Sequence, residues 1–535
     1  MNKRILVALV CVVLIIGAGL AQVLIWDVED AEVIGQRYLQ HEEDASLSEL
    51  SEEDQKAASS LSTDPATFAS HLPVVSIDTR GQAVPGERID IPDDESDDDD
   101  EVESAGFFLG VSETERPNES DETYTVAADG RKTIATTFTL YSQDGQANSL
   151  SDQPILQTQA ELRYRGHSSR NFDKKGYDIT FTEEDRVTNK NLDVLGMGED
   201  EDWILHGPFI DKTLLRNYFV MNIVGQFMPY IPDVRFCELF VNDQYQGVYV
   251  LMETVKASPY RTDLTESDPN SEETSYIVRL DWEDIDDSES IEEFLYTIYR
   301  IRNAKFEIVY PSPSGITDEQ KQWITYNLTD IEKALYSYDY DTFFYGYWNT
   351  LNTDSFIDYV IVSEFTSNLD QGKYSTYFYR DIRGKLSAGP IWDFNNAFDN
   401  YLEDSATEVS FVSINKPIVI MLFKDESFTQ GVIDRYRELR NGVLSSDYLD
   451  SFIDKTIEYL GPAIQRNFTV WGYSFDPNKL DHRNRLTPIE RNPTSYEEAI
   501  SDLKSYMERR LSWLDDHIEN LKQYSHESAV KRYNH

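Results

Sequence analysis

An uncharged apolar run from Ile5 to Trp26, in which Gln22 is the most polar side chain, limits this chain more than any other feature. Wound as a helix, such a run reaches about 33 Å, enough for a hydrocarbon core of about 30 Å. Lys3 and Arg4 precede it, while Asp27, Glu29 and Asp30 follow it. The positive-inside rule then leaves residues 1–4 in the cytoplasm and puts the bulk of the chain outside. A cleaved signal peptide ending near Gly19-Leu20-Ala21 is the competing reading and would make the protein secreted. The apolar stretch Val23-Leu24-Ile25-Trp26 continues past that point, as expected of an anchor over 5–26 that is kept.

The rest of the chain can bury a large core, since 40% of residues are hydrophobic and 13% aromatic. One large domain or two ordinary ones is expected. With 97 acidic against 48 basic residues the net charge is -49. Such a surface repels the phosphates of nucleic acid and of anionic lipids, so no nucleic-acid partner is expected. The acidity itself reads as solubility or adaptation to a cation-rich surface. Cys11 lies in the apolar run and cannot pair with Cys237, so stability must come from packing. No His-Glu-x-x-His or Cys-x-x-Cys supports a zinc site.

Residues 27–71 read as an acidic stalk, and 72–525 as the folded domain. An acidic block at 90–122 reads as an insertion, either disordered or a loose cation loop; it lacks the glycine of an EF-hand. Strand patterns occur at 72–78, 133–141, 160–166 and 177–181. Asn242-Asp243 marks the turn of a hairpin over 236–252. Helical spacing begins at Asp211 and runs to Pro229. It returns behind the capping pair Thr317 and Gln320, again over 354–365, and last over 496–521. The fold class is α+β.

Two acids stand out in polar loops. Asp370 follows the helix ending at Phe365, and Asp393 follows a strand pattern over Lys385 to Trp392. Carboxylates so placed suit phosphoryl transfer: one orients or deprotonates an attacking hydroxyl, the other holds Mg²⁺ against phosphates. On spacing alone the turn-former reading, a common use of Asp, is the stronger of the two. No Gly-x-Ser-x-Gly supports a hydrolase.

Longer segments settle on a family resemblance. Arg165-Gly166-His167-Ser168-Ser169, continuing to Lys174-Lys175-Gly176-Tyr177, resembles the RGxSS…KKxY segment of the CotH kinase family. Asp211 to Asn217, Glu238 to Glu253, and Asn368-Leu369-Asp370 through Gly389-Pro390-Ile391-Trp392-Asp393-Phe394 resemble its helix, hairpin and catalytic core, in order. The resemblance implies an atypical protein-kinase-like (CotH) fold that uses ATP and Mg²⁺ or Mn²⁺ to phosphorylate Ser of surface or secreted proteins. It implies Asp370 as the catalytic-loop Asp, Asp393 as the metal ligand, and Lys174 or Lys175, assisted by Arg165, as phosphate cations. Met252-Glu253-Thr254 would meet adenine.

Some positions depart from the pattern. Ser375 stands where a kinase places its second metal-binding Asn, and Asn395 where the family often has a second Asp. The helix from Asp211 offers Arg216 and Asn217 in place of a lysine-pairing Glu. A catalytically weak or inactive scaffold of the cell or spore envelope is therefore the alternative expectation.

Overall fold

The computed structural model describes residues 36–89, 123–166, 168–282, 290–291, 304–403 and 405–531. The apolar run 5–26 and the acidic block 90–122 lie outside them. Among the described residues no helix is long and apolar enough to cross a membrane.

Seven strands close into a barrel: β1 (Val74–Asp78), β2 (Ile134–Tyr141), β3 (Leu156–Tyr164), β4 (Tyr177–Thr182), β5 (Asp202–His206), β6 (Val234–Val241) and β7 (Gln244–Glu253). The order around the barrel is β1-β6-β7-β5-β4-β3-β2, closed because β1 pairs in parallel with β6 and antiparallel with β2. Strand alternation explains why β6 is apolar along most of its length. Cys237 and Leu239 point into the barrel with Trp203 and Tyr249, while Val234 and Phe236 join the larger core outside. The β6–β7 hairpin turns on Asn242 and Asp243, both left-handed at φ 50 and 60, the geometry a two-residue turn needs.

The second layer is an antiparallel sheet of β8 (Tyr276–Trp282), β9 (Ser290–Ile291), β10 (Ala304–Tyr310), β11 (Thr376–Arg380) and β12 (Ser387–Ala388), in the order β9-β10-β8-β11-β12. The strand expected over Lys385 to Trp392 shrinks to β12. Pro390 has no N–H to give a ladder, so pairing stops at Gly389.

Two short helices, α1 (Gln40–Glu43) and α2 (Glu52–Ala58), open the described chain. Then come α3 (Arg216–Val224), α4 (Asp318–Tyr336), α5 (Thr353–Thr366), α6 (Pro417–Leu422), α7 (Glu426–Arg440), α8 (Ser446–Leu460), α9 (Pro462–Trp471) and α10 (Tyr496–His517). The capping box of Thr317 and Gln320 forms as its sequence predicts. The helix expected from Asp211 starts later, at Arg216. Asp211 instead closes a turn, its carboxylate accepting from the backbone N–H of Thr213 at 3.1 Å and of Arg216 at 2.8 Å. Helix α9 packs on β7, where Gly247 at φ 98 has no side chain to collide with the Asn467 amide.

The stalk expected over 27–71 is corrected from residue 37 onward, because those residues dock. The Arg37 guanidinium donates to the carbonyls of Ile231 (2.8 Å) and Pro232 (2.5 Å) and pairs with Asp233 at 2.8 Å. Gln40 is fully buried and bonds both the N–H and the carbonyl of Phe236. Acidic composition suggested a solvated tether. A few buried contacts outweigh it, since polar groups that find partners lose little on burial.

Candidate active site

A cleft of about 400 Å³ opens between the barrel rim, the second sheet and two loops. The first loop begins where α5 ends at Ser367, left-handed at φ 49, which turns the chain out of the helix. Asn368 comes next and ties the two loops together: its Oδ1 accepts from the N–H of Asp370 at 3.1 Å, and its Nδ2 donates to the carbonyl of Asp393 at 3.2 Å. The carbonyl of Asp370 accepts from the N–H groups of Lys373 and Tyr374, at 2.9 and 2.8 Å.

Asp370 and Asp393 thus line one cleft, although separated in sequence by a hairpin. Burial raises the Asp370 carboxyl to about 6; a bond from Asn396 Nδ2 at 2.5 Å opposes the rise, and the charges of Asp393 and Asp281 add to it. Burial also raises Asp393, with the Arg165 cation opposing and Asp281 adding. Carboxylates that raise one another's proton affinity are held in surplus negative charge, the condition a divalent cation relieves.

Arg165 stands in this cleft. Its Nε is 3.2 Å from Asp178 Oδ1, and its guanidinium lies 5.5 Å from the ring centre of Trp392, the residue before Asp393. Of the lysines expected to share its role, Lys174 lines the cleft with its ammonium bonded elsewhere, and Lys175 lies outside it. Lys174 is 1% exposed and its Nζ donates to the Val248 carbonyl at 2.6 Å and to Asn467 Oδ1 at 2.8 Å. Burial drives its amine well below the usual lysine range. Lys175 donates to the Arg170 carbonyl at 2.7 Å, lies 3.7 Å from Glu87, and is not among the residues lining the cleft. A sequence shows where a lysine stands in a loop but not which way that loop folds back.

The departures from the expected pattern acquire structural roles. Asn395 Nδ2 donates to Asp393 Oδ1 at 2.6 Å, so the amide orients the acid. Asn217 on α3 holds Asn395 in turn at 2.6 Å and accepts from the N–H of Phe394 at 2.8 Å. Arg216 pairs with Asp211 at 2.5 Å and donates to the Ala397 carbonyl at 2.8 Å. In place of a Glu–Lys pair, α3 supports the loop that carries Asp393. Ser375 is left-handed at φ 49, with its N–H 3.3 Å from Asp281 Oδ1. Of Met252-Glu253-Thr254, Thr254 lines the cleft, while Glu253 is buried behind it, pushed up to about 8 by burial despite Arg261.

Four lining or supporting residues had not been singled out: Asp281, Arg279, Asn396 and Lys416. Arg279 and Asp281 alternate with Val278 and Leu280 on β8, so charge at period two inside an apolar strand was a readable signal. Lys416 donates to the Leu369 carbonyl at 2.6 Å and is lowered to about 8 by burial, against the pull of Asp370. Nothing in its local sequence points there.

The barrel, the second sheet and the acidic cleft between them define a mixed α and β protein built around paired carboxylates. The family model described as CotH kinase protein matches residues 162–514, and the chain belongs to the CotH family. It is also similar to inner spore coat protein H of Bacillus subtilis (strain 168), 20% identical over 370 residues, which cover 66% of this chain and 88% of that protein. The matched residues contain Arg165, both acidic loops and Asp281.

Proposed function

We propose that this protein is a CotH-type kinase with an atypical kinase-like fold, transferring the terminal phosphoryl group of ATP to a Ser hydroxyl of an envelope or surface protein. The carrying observation is that Asp370, Asp393 and Arg165 line one cleft. The location follows the spore-coat relative, and the export signal in the first 26 residues agrees with it.

The donor set fits a hard cation: the carboxylates of Asp393 and Asp281 and the hydroxyl of Ser375 are oxygen ligands of the kind Mg²⁺ or Mn²⁺ selects. Such an ion, when bound with nucleotide, neutralises charge on the phosphates. Asp370, raised to about 6, is suited to accept a proton from an attacking hydroxyl near neutral pH, and Asn396 fixes its orientation. Arg165 supplies the positive charge that Lys174 and Lys175, bonded elsewhere, do not bring to the acids.

A scaffold without turnover is the second reading, favoured by the engagement of Asn395 with Asn217 and Asp393. Incubating the purified chain with labelled ATP and Mg²⁺ or Mn²⁺, beside Asp370→Ala and Asp393→Ala, separates the two. Transfer by the parent and none by either variant is expected. No label in the parent, with no rise of its melting temperature on adding ATP, overturns the kinase reading.

A further inference from the structure

We infer that the aromatic turn Phe343-Phe344-Tyr345 is a membrane-contact surface, set into the interfacial layer of the bilayer that holds the apolar run, and that it keeps the acidic cleft turned away from that bilayer. The inference is independent of the kinase reading and takes residues 5–26 as the retained anchor expected from the sequence.

The turn holds its rings out in water. Phe343, Phe344 and Tyr345 are 72%, 71% and 66% exposed, and the first two meet edge to face at 5.0 Å. Its base is bonded firmly. The Gly346 N–H donates to the Thr342 carbonyl at 2.7 Å, Asn349 Nδ2 donates to the Phe343 carbonyl at 3.2 Å, and the Tyr347 hydroxyl donates to Asp425 at 2.8 Å. A side chain at Gly346 would meet the Thr342 carbonyl at 2.5 Å, so glycine closes the turn. Rings fixed in this way lose little freedom on binding. From Thr342 to Thr353 no residue is charged, in a chain where 27% are. Exposed rings free of charge suit the bilayer interface, where aromatic side chains collect. A second copy is a poorer occupant, because a net charge of -49 on each opposes pairing.

Chain length and helix direction decide which side of the domain meets the bilayer. The ten residues 27–36 reach at most about 36 Å, so Arg37 stays near the surface. Arg37 is held at the end of α3, by Asn222 at 3.1 Å and by the carbonyls of Ile231 and Pro232. The start of α3 lies at the cleft, where Arg216 and Asn217 hold the Asp393 loop. Helix α5 is arranged likewise: the aromatic turn precedes its first residue, Thr353, and its far end, about 21 Å along, leads to Asp370. Short contacts join the two remote ends. Met228 reaches Gly389, the Ala388 N–H donates to Ser355 Oγ at 3.0 Å, and Leu351 pairs with Leu386. The entry of the anchored chain and the aromatic turn therefore share the side of the domain opposite the cleft.

Spin-label depth measurements on the full chain, reconstituted in phosphatidylcholine nanodiscs, test this. One variant carries Cys11→Ser and a nitroxide at Phe344→Cys; a second carries Cys11→Ser and the label at Val187→Cys, a position 76% exposed in the turn after β4. Cys237 is buried and takes no label. Relaxation of each label by oxygen, which concentrates in lipid, is compared with relaxation by a water-soluble nickel chelate. We expect the ratio of oxygen to chelate access to be at least threefold higher at residue 344 than at 187. Equal ratios overturn the contact and leave the anchor and the kinase reading standing. Dipolar broadening between labels at 344, or shielding from both reagents, means that protein covers the turn and also overturns the contact. A chain that does not enter the nanodiscs overturns the anchor and the contact together. Should Phe344→Cys lower the melting temperature, the label is moved to Tyr345→Cys and read against the same outcomes.

Discussion

Asn217 and Asn395 are joined side chain to side chain at 2.6 Å, so that helix α3 grips the loop carrying Asp393. The same Asn217 accepts from the N–H of Phe394 at 2.8 Å, and Asn395 passes the constraint on to Asp393 Oδ1. Asn217→Ala removes both bonds and leaves a buried N–H without its partner. The expected cost is about 1–3 kcal/mol of stability, the usual penalty for such a group. A looser Asp393 should also raise the Mn²⁺ concentration needed for half-maximal transfer about tenfold. Denaturant unfolding and metal titration of activity check the two effects separately.

Lys174 and Arg165 should part company when each is replaced. Because Lys174 is spent on the Val248 carbonyl and Asn467, Lys174→Met should destabilise the barrel by about 1–3 kcal/mol through unsatisfied acceptors. Its effect on ADP affinity should stay under threefold. Arg165→Ala should reverse the pattern, weakening ADP at least tenfold because a charge-assisted phosphate contact goes. ADP binding by calorimetry, read beside melting curves, decides; a tenfold loss of affinity in Lys174→Met would give the lysine a part in nucleotide binding.

A buried ion pair also holds the docked N-terminal segment. Arg466 and Glu238, both fully buried, meet at 2.6 Å, and Arg466 also donates to the carbonyls of Ala58 (2.6 Å) and Ser60 (2.9 Å). Removing the cation alone strands a buried carboxylate, which typically costs about 3–5 kcal/mol. Arg466→Met should therefore lower the denaturation midpoint strongly. Limited proteolysis should then cut ahead of residue 71 sooner than in the parent.

Acid should weaken the same segment. His41 lies against Phe452 and shares a 2.9 Å bond with the Tyr218 hydroxyl; burial lowers its pKa to about 4. His71 is lowered too, by burial. The folded chain holds these rings neutral, while the unfolded chain binds protons below about 6.5. Stability from His41 is therefore complete above about pH 6.5 and declines as pH falls from there toward 4, by at most about 3 kcal/mol. Unfolding measured between pH 7.5 and 4.5 should show the decline, and His41→Phe should flatten it.

Much of the fold was legible because local rules held. The turn at Asn242-Asp243, the capping box at Thr317 and the helix stop before Asn368 each depend on residues within a few positions of one another. Asp370 and Asp393 were readable for the same reason, as acids at the ends of recognisable elements. How Lys174 bonds was not legible, because its direction depends on how a loop folds back against β7 and α9, which no local pattern encodes. Residues 37–71 misled because composition reports charge, whereas docking depends on where Arg37, Gln40 and Arg466 find partners.

By itself the sequence determined an apolar start, an α+β chain and two acids in polar loops at the ends of elements. Only the tertiary structure decided which cation stands beside them, that Asn217 and Asn395 orient Asp393, and that Asp281 joins the cleft. Those choices rest on strand register and on hydrogen bonds between residues far apart in the chain. Each is set when the barrel closes and the second sheet packs, not by any neighbour in sequence.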